Sequence, residues 1–565
     1  MKKALFLNSI IFALCITITG CSDPSTPSVT TQPSVEDPTT AETFKEDVES
    51  NFTHIDDYLE HSLAHNGRDF DYDPYMFYVN NLNKLPLPDP HVFEDNGTYY
   101  ITGTSDRGQC KVIDCYVTTD FIDFELEIIY NPADYNGWEH SDPGLYAPEF
   151  YKFGDDYYLY YSAKDKSGKR YNSVVVADNP IGPYEPIVND EVDGLNNPLF
   201  KDCGIGLDST IFVDDDGKIY MYYSAVKGLQ LCSGVELESP YKAKVETLKD
   251  LVYPGEVSTT NKEKLLTWEV MRSGDIAEAP FMLKSNGKYY LTYSVNGCWN
   301  KYYNVCYAVS DSPLGDFVKP YEEGKIWTNL LMGYPGLKEG TEEIEDQWRG
   351  FASGTGHHSF FKIGDQLMVG YHAHQNRDWN SNGQFTPRYF AMDYVHFDKD
   401  GVPFINGPTW SPQPLPEALS GYKNIAQNAT IRTQNVTNEE ALTDNYIVDC
   451  YNLDDINKEV KLGAGRSYIE LTFNKPYRIG GFAIYNSGFY DNAIYDVKYI
   501  DFGNSQAIKD LTFLEEQFVN QNTEFIFPNS AFTGELYSKV ETNKIVISFD
   551  LAEGGNINEI VILGK

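Results

Sequence analysis

Five stretches of this chain repeat one another, and no other feature restricts its fold so much. Each opens on polar residues, continues as an apolar-alternating strand, turns at Gly/Asp, and returns as an aromatic strand ending in small residues. They read DPHVFEDNGTYYITGTS from Asp89, APEFYKFGDDYYLYYSA from Ala147, LDSTIFVDDDGKIYMYYSA from Leu207, AEAPFMLKSNGKYYLTYSV from Ala277 and GTGHHSFFKIGDQLMVGYHA from Gly354. Alternation broken by such a turn is the pattern of a β-hairpin. The turn glycines Gly97, Gly154, Gly217, Gly287 and Gly364 stand 57, 63, 70 and 77 residues apart by subtraction. Each gap leaves room for a second hairpin, hence a four-stranded blade. Five such units make a five-bladed β-propeller. A β-sandwich of similar hairpins is the competing architecture, but it would not require five matching units. The expected fold is therefore all-β, with the propeller spanning residues 84–412 and a β-sandwich following at 420–565.

Around Trp410 the chain turns Pro-rich (SPQPLPEAL), as domain boundaries do. Beyond it YIELTF, GGFAIYNS, KIVISF and NEIVILG alternate or run apolar in the manner of a sandwich. The segments NIAQNATIR, YIELTFNKPYRIGGFAIYNS and INEIVILG resemble discoidin-like (factor 5/8 type C-like) modules. Members of that group often bind sugars, so the resemblance implies a carbohydrate-binding module. A purely structural domain packed on the propeller accounts for the same strands.

The N-terminus reads as a targeting signal. Lys2 and Lys3 precede an apolar run from Ala4 to Ile18, too short for a permanent transmembrane span. The run ends in Ile18-Thr19-Gly20-Cys21, which resembles a bacterial lipobox with Cys21 as the acylated residue. Several acyl chains on one residue hold a protein stably at a membrane. Residues 22–83 then form a tether and N-terminal extension, Ser/Thr/Pro-rich to about Thr40 and acidic and weakly helical over 41–66. The protein is expected outside the cytoplasm, touching the bacterial envelope only through its lipid.

With 83 acidic against 44 basic side chains, the formal net charge is −39. Such a surface repels phosphate backbones, which argues against nucleic acid as a partner, whereas a neutral polysaccharide is indifferent to it. Setting aside Cys15 and Cys21 leaves Cys110, Cys115, Cys203, Cys232, Cys298, Cys306 and Cys450, with no C-x-x-C spacing for zinc. Cys110/Cys115 and Cys298/Cys306 are spaced to close small loops in an oxidising compartment, the connectivity being open. Oligomeric state is open as well.

Aligning the hairpins on their turns puts Asp89, Glu149, Asp208, Glu278 and His357 at the starts of the five first strands. First strands line a propeller's channel, so these positions converge on its axis. Carboxylates crowded together split their pKa values, leaving one protonated beside others that are ionised. Glycoside hydrolysis uses that split, one carboxyl protonating the leaving oxygen while another activates water or attacks the anomeric carbon. A bound cation is the other explanation for a ring of acids.

Several motifs together resemble glycoside hydrolase family 43, whose members are five-bladed propellers acting mainly on arabinose- and xylose-containing glycans. Leu87-Pro88-Asp89-Pro90 before GTYYITGTS looks like the segment of the family's general base, which implies that role for Asp89. Leu207-Asp208-Ser209-Thr210 looks like the segment of the pKa-modulating aspartate, with Ser209 where the family commonly has Pro. Ala277-Glu278-Ala279-Pro280 matches the general-acid motif, implying Glu278 as the acid. Gly354-Thr355-Gly356-His357 looks like the family's Gly-x-Gly-His segment, whose histidine often meets a central metal ion through water; His358 should point the other way. Arg388 in TPRYF matches an arginine thought to contact substrate hydroxyls. The resemblance implies inversion of configuration, no cofactor for the chemistry, and a structural Ca²⁺ in the channel as its one associated ion. Trp268 is the preferred sugar-stacking residue over Trp138 and Trp299, and Glu149 joins Arg388 as a substrate contact. The invertase clan's W-x-N-D-P-N-G and the sialidases' S-x-D-x-G-x-T-W are both missing. The expected product is α-L-arabinofuranose or β-D-xylose. Endo-arabinanase or galactofuranosidase action on the same fold, and a surface glycan-binding lipoprotein without activity, are the alternatives. The long segments 106–146 and 326–352 suit a walled pocket and exo action.

Overall fold

A computed structural model of the chain describes residues 44, 76–80, 85–106, 108–270, 275–299, 302–323, 328–333, 352–375, 387–409, 411–449, 453–488, 492–503, 507–512, 519–520, 525–526 and 531–565. The signal sequence, Cys21, the tether, the 41–66 segment apart from residue 44, Trp410, Cys450 and most of 326–352 lie outside the described residues. Every blade and the C-terminal sheet belong to one compact unit, Asp47–Lys565.

The five repeats are five antiparallel blades. The first has strands His91–Asp95, Thr98–Thr102, Ile113–Thr118 and Glu125–Tyr130, each paired with the next. The second runs Tyr146–Phe153, Asp156–Lys164, Arg170–Ala177 and Glu185–Pro186. The third opens with Gly206–Val213, Ile219–Val226 and Gln230–Ser239, and the last of these pairs with both Lys242–Ala243 and Lys249–Val252. The fourth has Ala277–Ser285, Lys288–Val295, Asn304–Ser310 and Leu330–Met332. Ala352–Ile363, Gln366–Gln375 and Tyr389–Tyr394 are the described strands of the fifth. All five turn glycines have positive φ, between 60° and 81°, where a Cβ is disfavoured.

The aromatic second strands are explained by burial on both faces. In the second blade Tyr157, Leu159 and Tyr161 pack toward the first blade with Ile113 and Cys115. Tyr158 and Tyr160 pack the other way, with Ile211, Met221 and Tyr223 of the third. A period of two therefore reads as a continuous apolar run. Buried phenols need partners. Tyr161 donates to Glu139 Oε1 at 2.7 Å, Tyr223 to the Cys203 carbonyl at 2.7 Å and Tyr371 to Asp393 Oδ2 at 2.6 Å. Each tyrosine thus fills an inter-blade layer and pins a loop or neighbouring strand.

The C-terminal region is the further sheet-rich part of this all-β chain. Two long strands, Gly465–Asn486 and Ala531–Leu551, run antiparallel, and Gly555–Gly564 pairs with the first. Register shifts at Thr472/Tyr477 and Ile479/Gly481 bend the sheet into a half-barrel around Ile469, Leu471, Phe482, Ile484, Ile547 and Ile562.

All six described cysteines are unpaired. The loop-closing pairs Cys110/Cys115 and Cys298/Cys306 therefore do not form. Cys115 and Cys306 are buried in strands as small apolar side chains, and burial raises both thiols.

Candidate active site

One residue within each first strand or, in the first blade, two residues before its start has a positive φ although it is not glycine: Asp89, Ala147, Asp208, Ala279 and His357 lie between 44° and 55°. Such residues cost about 1–3 kcal/mol each and persist only where surroundings hold them. In the second, third, fourth and fifth blades a register shift brackets the residue, as at Leu207/Thr210 and Glu278/Phe281. The bulge turns the strand end inward and aims its side chains at the axis.

This ring corrects the alignment drawn on the turns. Asp89, Asp208 and His357 are equivalent, but the second and fourth members are Ala147 and Ala279. Glu278 stands one residue before its blade's bulge residue, and Glu149 two residues after. The turn glycines follow the bulge by 8, 7, 9, 8 and 7 residues by subtraction, so alignment on glycine slips between blades.

Asp89, Asp208 and Glu278 are all buried, at 8%, 5% and 9% exposure. Asp89 Oδ1 receives Arg388 Nη1 at 2.7 Å, and Oδ2 receives the Thr104 hydroxyl at 2.6 Å. Burial works against its charge, but Arg388 foremost, with His357 Nδ1 at 3.2 Å, holds the carboxyl well below the usual range. His372 Nδ1 is 3.3 Å from the same oxygen, yet it also takes the Asp89 amide hydrogen at 3.2 Å. Burial keeps that imidazole neutral, so its single Nδ1 site cannot serve both, and Arg388 is the group that fixes the Asp89 charge.

Asp208 Oδ2 accepts from Ser224 Oγ at 3.0 Å and from the Ala279 amide at 3.3 Å. Burial pushes its carboxyl up to about 6, with Glu278 and Asp89 adding repulsion and His357 opposing. Glu278 is pushed up to about 7, again by burial first, with Asp89 adding to it. Its Oε1 accepts from Tyr303 Oη at 2.9 Å and Oε2 from Gln230 Nε2 at 3.0 Å. The site thus pairs a carboxylate held ionised with a carboxyl that keeps its proton to near neutrality.

Glu149 is placed otherwise than expected. Its Oε2 accepts from Tyr151 Oη at 2.5 Å and lies 3.9 Å from His91 Nε2, while Tyr151 bridges to Thr210 at 2.9 Å. That is a second layer, two residues beyond the bulge, and burial raises Glu149 to about 8. A carboxyl raised on folding supplies stability fully present below its unfolded value near 4.3 and lost as pH rises through the folded value. Glu149→Gln, which keeps the neutral shape, is therefore expected to raise the melting temperature by several degrees at pH 8 and hardly at pH 4. Equal shifts at both pH values in calorimetry would refute the assignment.

Trp268 is also displaced from its expected role. At 3% exposure it packs among Tyr293, Val257 and Phe317 in the core, as Trp138 does at 4% elsewhere. Trp299 is the exposed one, at 53%, next to Cys298, whose carbonyl lies 2.8 Å from His374 Nε2. His358 points away from His357, its Nε2 2.6 Å from Thr292 Oγ1. Among the described residues no three His, Cys, Asp or Glu side chains could hold a metal ion, and His357 Nδ1 faces Asp89. These groups do not form a direct cage for Ca²⁺. Thr104, Ser224, Gln230, Tyr303 and His372 were not singled out from the sequence. The small residue ending each repeat and the histidine of GYHA were the available signals.

The profile of glycosyl hydrolases family 43 matches residues 78–403, which include every blade and all the side chains of the site. The chain belongs to this family. Among curated relatives, a "Beta-xylosidase" of Xylanibacter ruminicola is 32% identical over 177 residues, 28% of this chain and 51% of that protein. A "Xylosidase/arabinosidase 43A" of Humicola insolens is 30% identical over 251 residues, 37% of this chain and 71% of that protein. A crystal structure of a thermostable family-43 glycoside hydrolase matches at 25% identity and a TM-score of 0.48, covering 60% of this chain and 98% of that one. The chain spans about half the length of the first curated relatives it matches, 51% and 57%. The C-terminal half-barrel lies outside the family-43 match.

Proposed function

We propose that this protein is an inverting glycoside hydrolase that releases α-L-arabinofuranose or β-D-xylose from plant-type glycans. The observation that carries the reading is the opposed protonation of Asp89 and Glu278 in one buried site. Ionised Asp89 takes a proton from water as it attacks the anomeric carbon, while Glu278 protonates the departing oxygen. Asp208 repels charge on Glu278 and thereby helps keep the acid protonated. Arg388 steadies Asp89 at 2.7 Å, and on this reading it meets substrate hydroxyls beside that carboxylate. The names of the xylosidase and arabinosidase relatives support this substrate class.

Incubation with aryl α-L-arabinofuranoside, aryl β-D-xyloside and arabinoxylan, with proton NMR of the first-formed anomer, tests the proposal. Retained configuration, or no sugar released from any of them, would overturn it. The pH profile is a further expected result. Asp89 stays ionised across the acid range, whereas Glu278 loses its proton as pH rises through about 7, so kcat/KM should fall above that point. Asp208→Asn removes a neighbouring charge and should move this alkaline limb to lower pH; a limb that stays put would remove Asp208 from its role.

We further read the half-barrel at 420–565 as a glycan-binding module, on its resemblance to discoidin-like domains, and the protein as lipid-anchored at the cell envelope through Cys21. Cys21→Ser should then move the protein from the membrane fraction to the soluble one; an unchanged membrane fraction would refute the anchor.

A further inference from the structure

The inner ends of the blades' second strands carry a small hydroxyl residue in four blades, three of which bind a bulge amide, and a histidine in the fifth. Opposite the residue that precedes each bulge stand Thr104, Ser162, Ser224, Ser294 and His372. Hydroxyls from this ring take the amide hydrogens of bulge residues in the next blade: Ala147 to Thr104 at 3.0 Å, Ala279 to Ser224 at 3.0 Å and His357 to Ser294 at 2.9 Å. At the seam where the fifth blade meets the first, His372 Nδ1 takes the Asp89 amide at 3.2 Å. The ring departs from a small hydroxyl only where the amide belongs to Asp89.

An imidazole offers more than an acceptor. The His372 ring is fully buried at 0% exposure and lies nearly parallel to Tyr303, with centroids 5.5 Å apart and planes 7° from one another. Gly356 sits across from His372, and a Cβ there would come within 2.3 Å of the Tyr303 ring, so the blade has cleared space for that stack. Tyr303 in turn donates to Glu278. Among the described residues His372 Nε2 finds no hydrogen-bond partner.

We propose that His372 is a positioning residue that holds the Asp89 backbone in its left-handed conformation and, through its face, holds the Tyr303 hydroxyl on Glu278, joining the two halves of the site. This rests on the hydrolase reading. The experiment compares full-length His372→Leu, His372→Asn and His372→Ser on the aryl glycosides. Asn puts an acceptor near Nδ1, and Ser restores the residue used elsewhere in the ring; neither has the face.

Misplacing a reacting group by about 1 Å costs about 100-fold, so His372→Leu should lose about that much in kcat with KM changed only a few-fold. The Asn variant should stay within about 10-fold of wild type, since the acceptor is kept. In every variant that folds the alkaline limb should move to higher pH, because a loosened Tyr303 no longer favours the charged form of Glu278. Equal losses in the Leu and Asn variants, or limbs that do not move, would overturn the proposal. If His372→Leu does not fold, the limbs of the Asn and Ser variants still decide it. Should the wild type release no sugar, the hydrolase reading fails instead. Nitrogen NMR on histidine-labelled protein then decides separately: a neutral His372 imidazole bearing its proton on Nε2 between about pH 5 and 8 supports the positioning bond, and a protonated one overturns it.

Discussion

Asp89→Asn is expected to lower kcat by about 10³- to 10⁴-fold, the scale of a lost general base. The amide keeps the shape of the carboxyl and can still accept from Thr104, but it cannot take a proton from water. The substitution also strips Arg388 of its charge partner at 2.7 Å in a site where the guanidinium is 16% exposed. Removing one member of a buried pair costs about 3–5 kcal/mol, and the partial exposure here lowers that figure. The melting temperature should therefore fall too, and turnover must be measured well below it, on protein shown to be folded by circular dichroism. A stable Asp89→Asn variant retaining more than about a tenth of wild-type kcat would remove Asp89 from the mechanism.

The propeller was legible because its repeats are long-range copies of one local pattern. Turn glycines, alternating first strands and tyrosine-rich second strands each have a local cause, and five copies leave few closed arrangements. The acids were legible for a related reason, since each lies at or beside a bulge that opens a blade. What sequence alignment lost was the bulge register. Glu149 stands only 5 residues before its turn glycine, against 7 for Ala147 and 9 for Asp208, so its acidity rather than its spacing made it look like a member of the ring in place of Ala147. Glu149 then looked like a substrate contact when it belongs to the layer of His91, Tyr151 and Thr210. Trp268 was misplaced because nearness in sequence to Glu278 says nothing about which side of the strand a loop folds on. It folds into the core, where the buried Lys319–Glu269 pair and Tyr293 hold the same turn. Tyr303 and His372 could not be ranked at all. Their importance comes from meeting each other across a blade seam, and nothing local marks that contact.

Glu278→Gln should separate leaving-group protonation from the rest of catalysis. Glutamine is close to isosteric, its oxygen can accept from Tyr303, and the Gln230 amide can turn to offer its own oxygen to the new NH₂ group. The site should therefore stay folded and bind substrate. It has no proton to give. On arabinoxylan oligosaccharides the departing group is a sugar alkoxide that needs that proton, and kcat should fall by about 10²- to 10⁴-fold. On a nitrophenyl glycoside the departing oxygen is stabilised by its own ring, and the loss should be much smaller. The alkaline limb near pH 7 should vanish with the side chain that produces it. These two results are linked, since one carboxyl is held responsible for both. Equal losses on the two substrate types, or an alkaline limb that survives the substitution, would mean that another group supplies the proton and that the elevated Glu278 carboxyl is a consequence of burial alone.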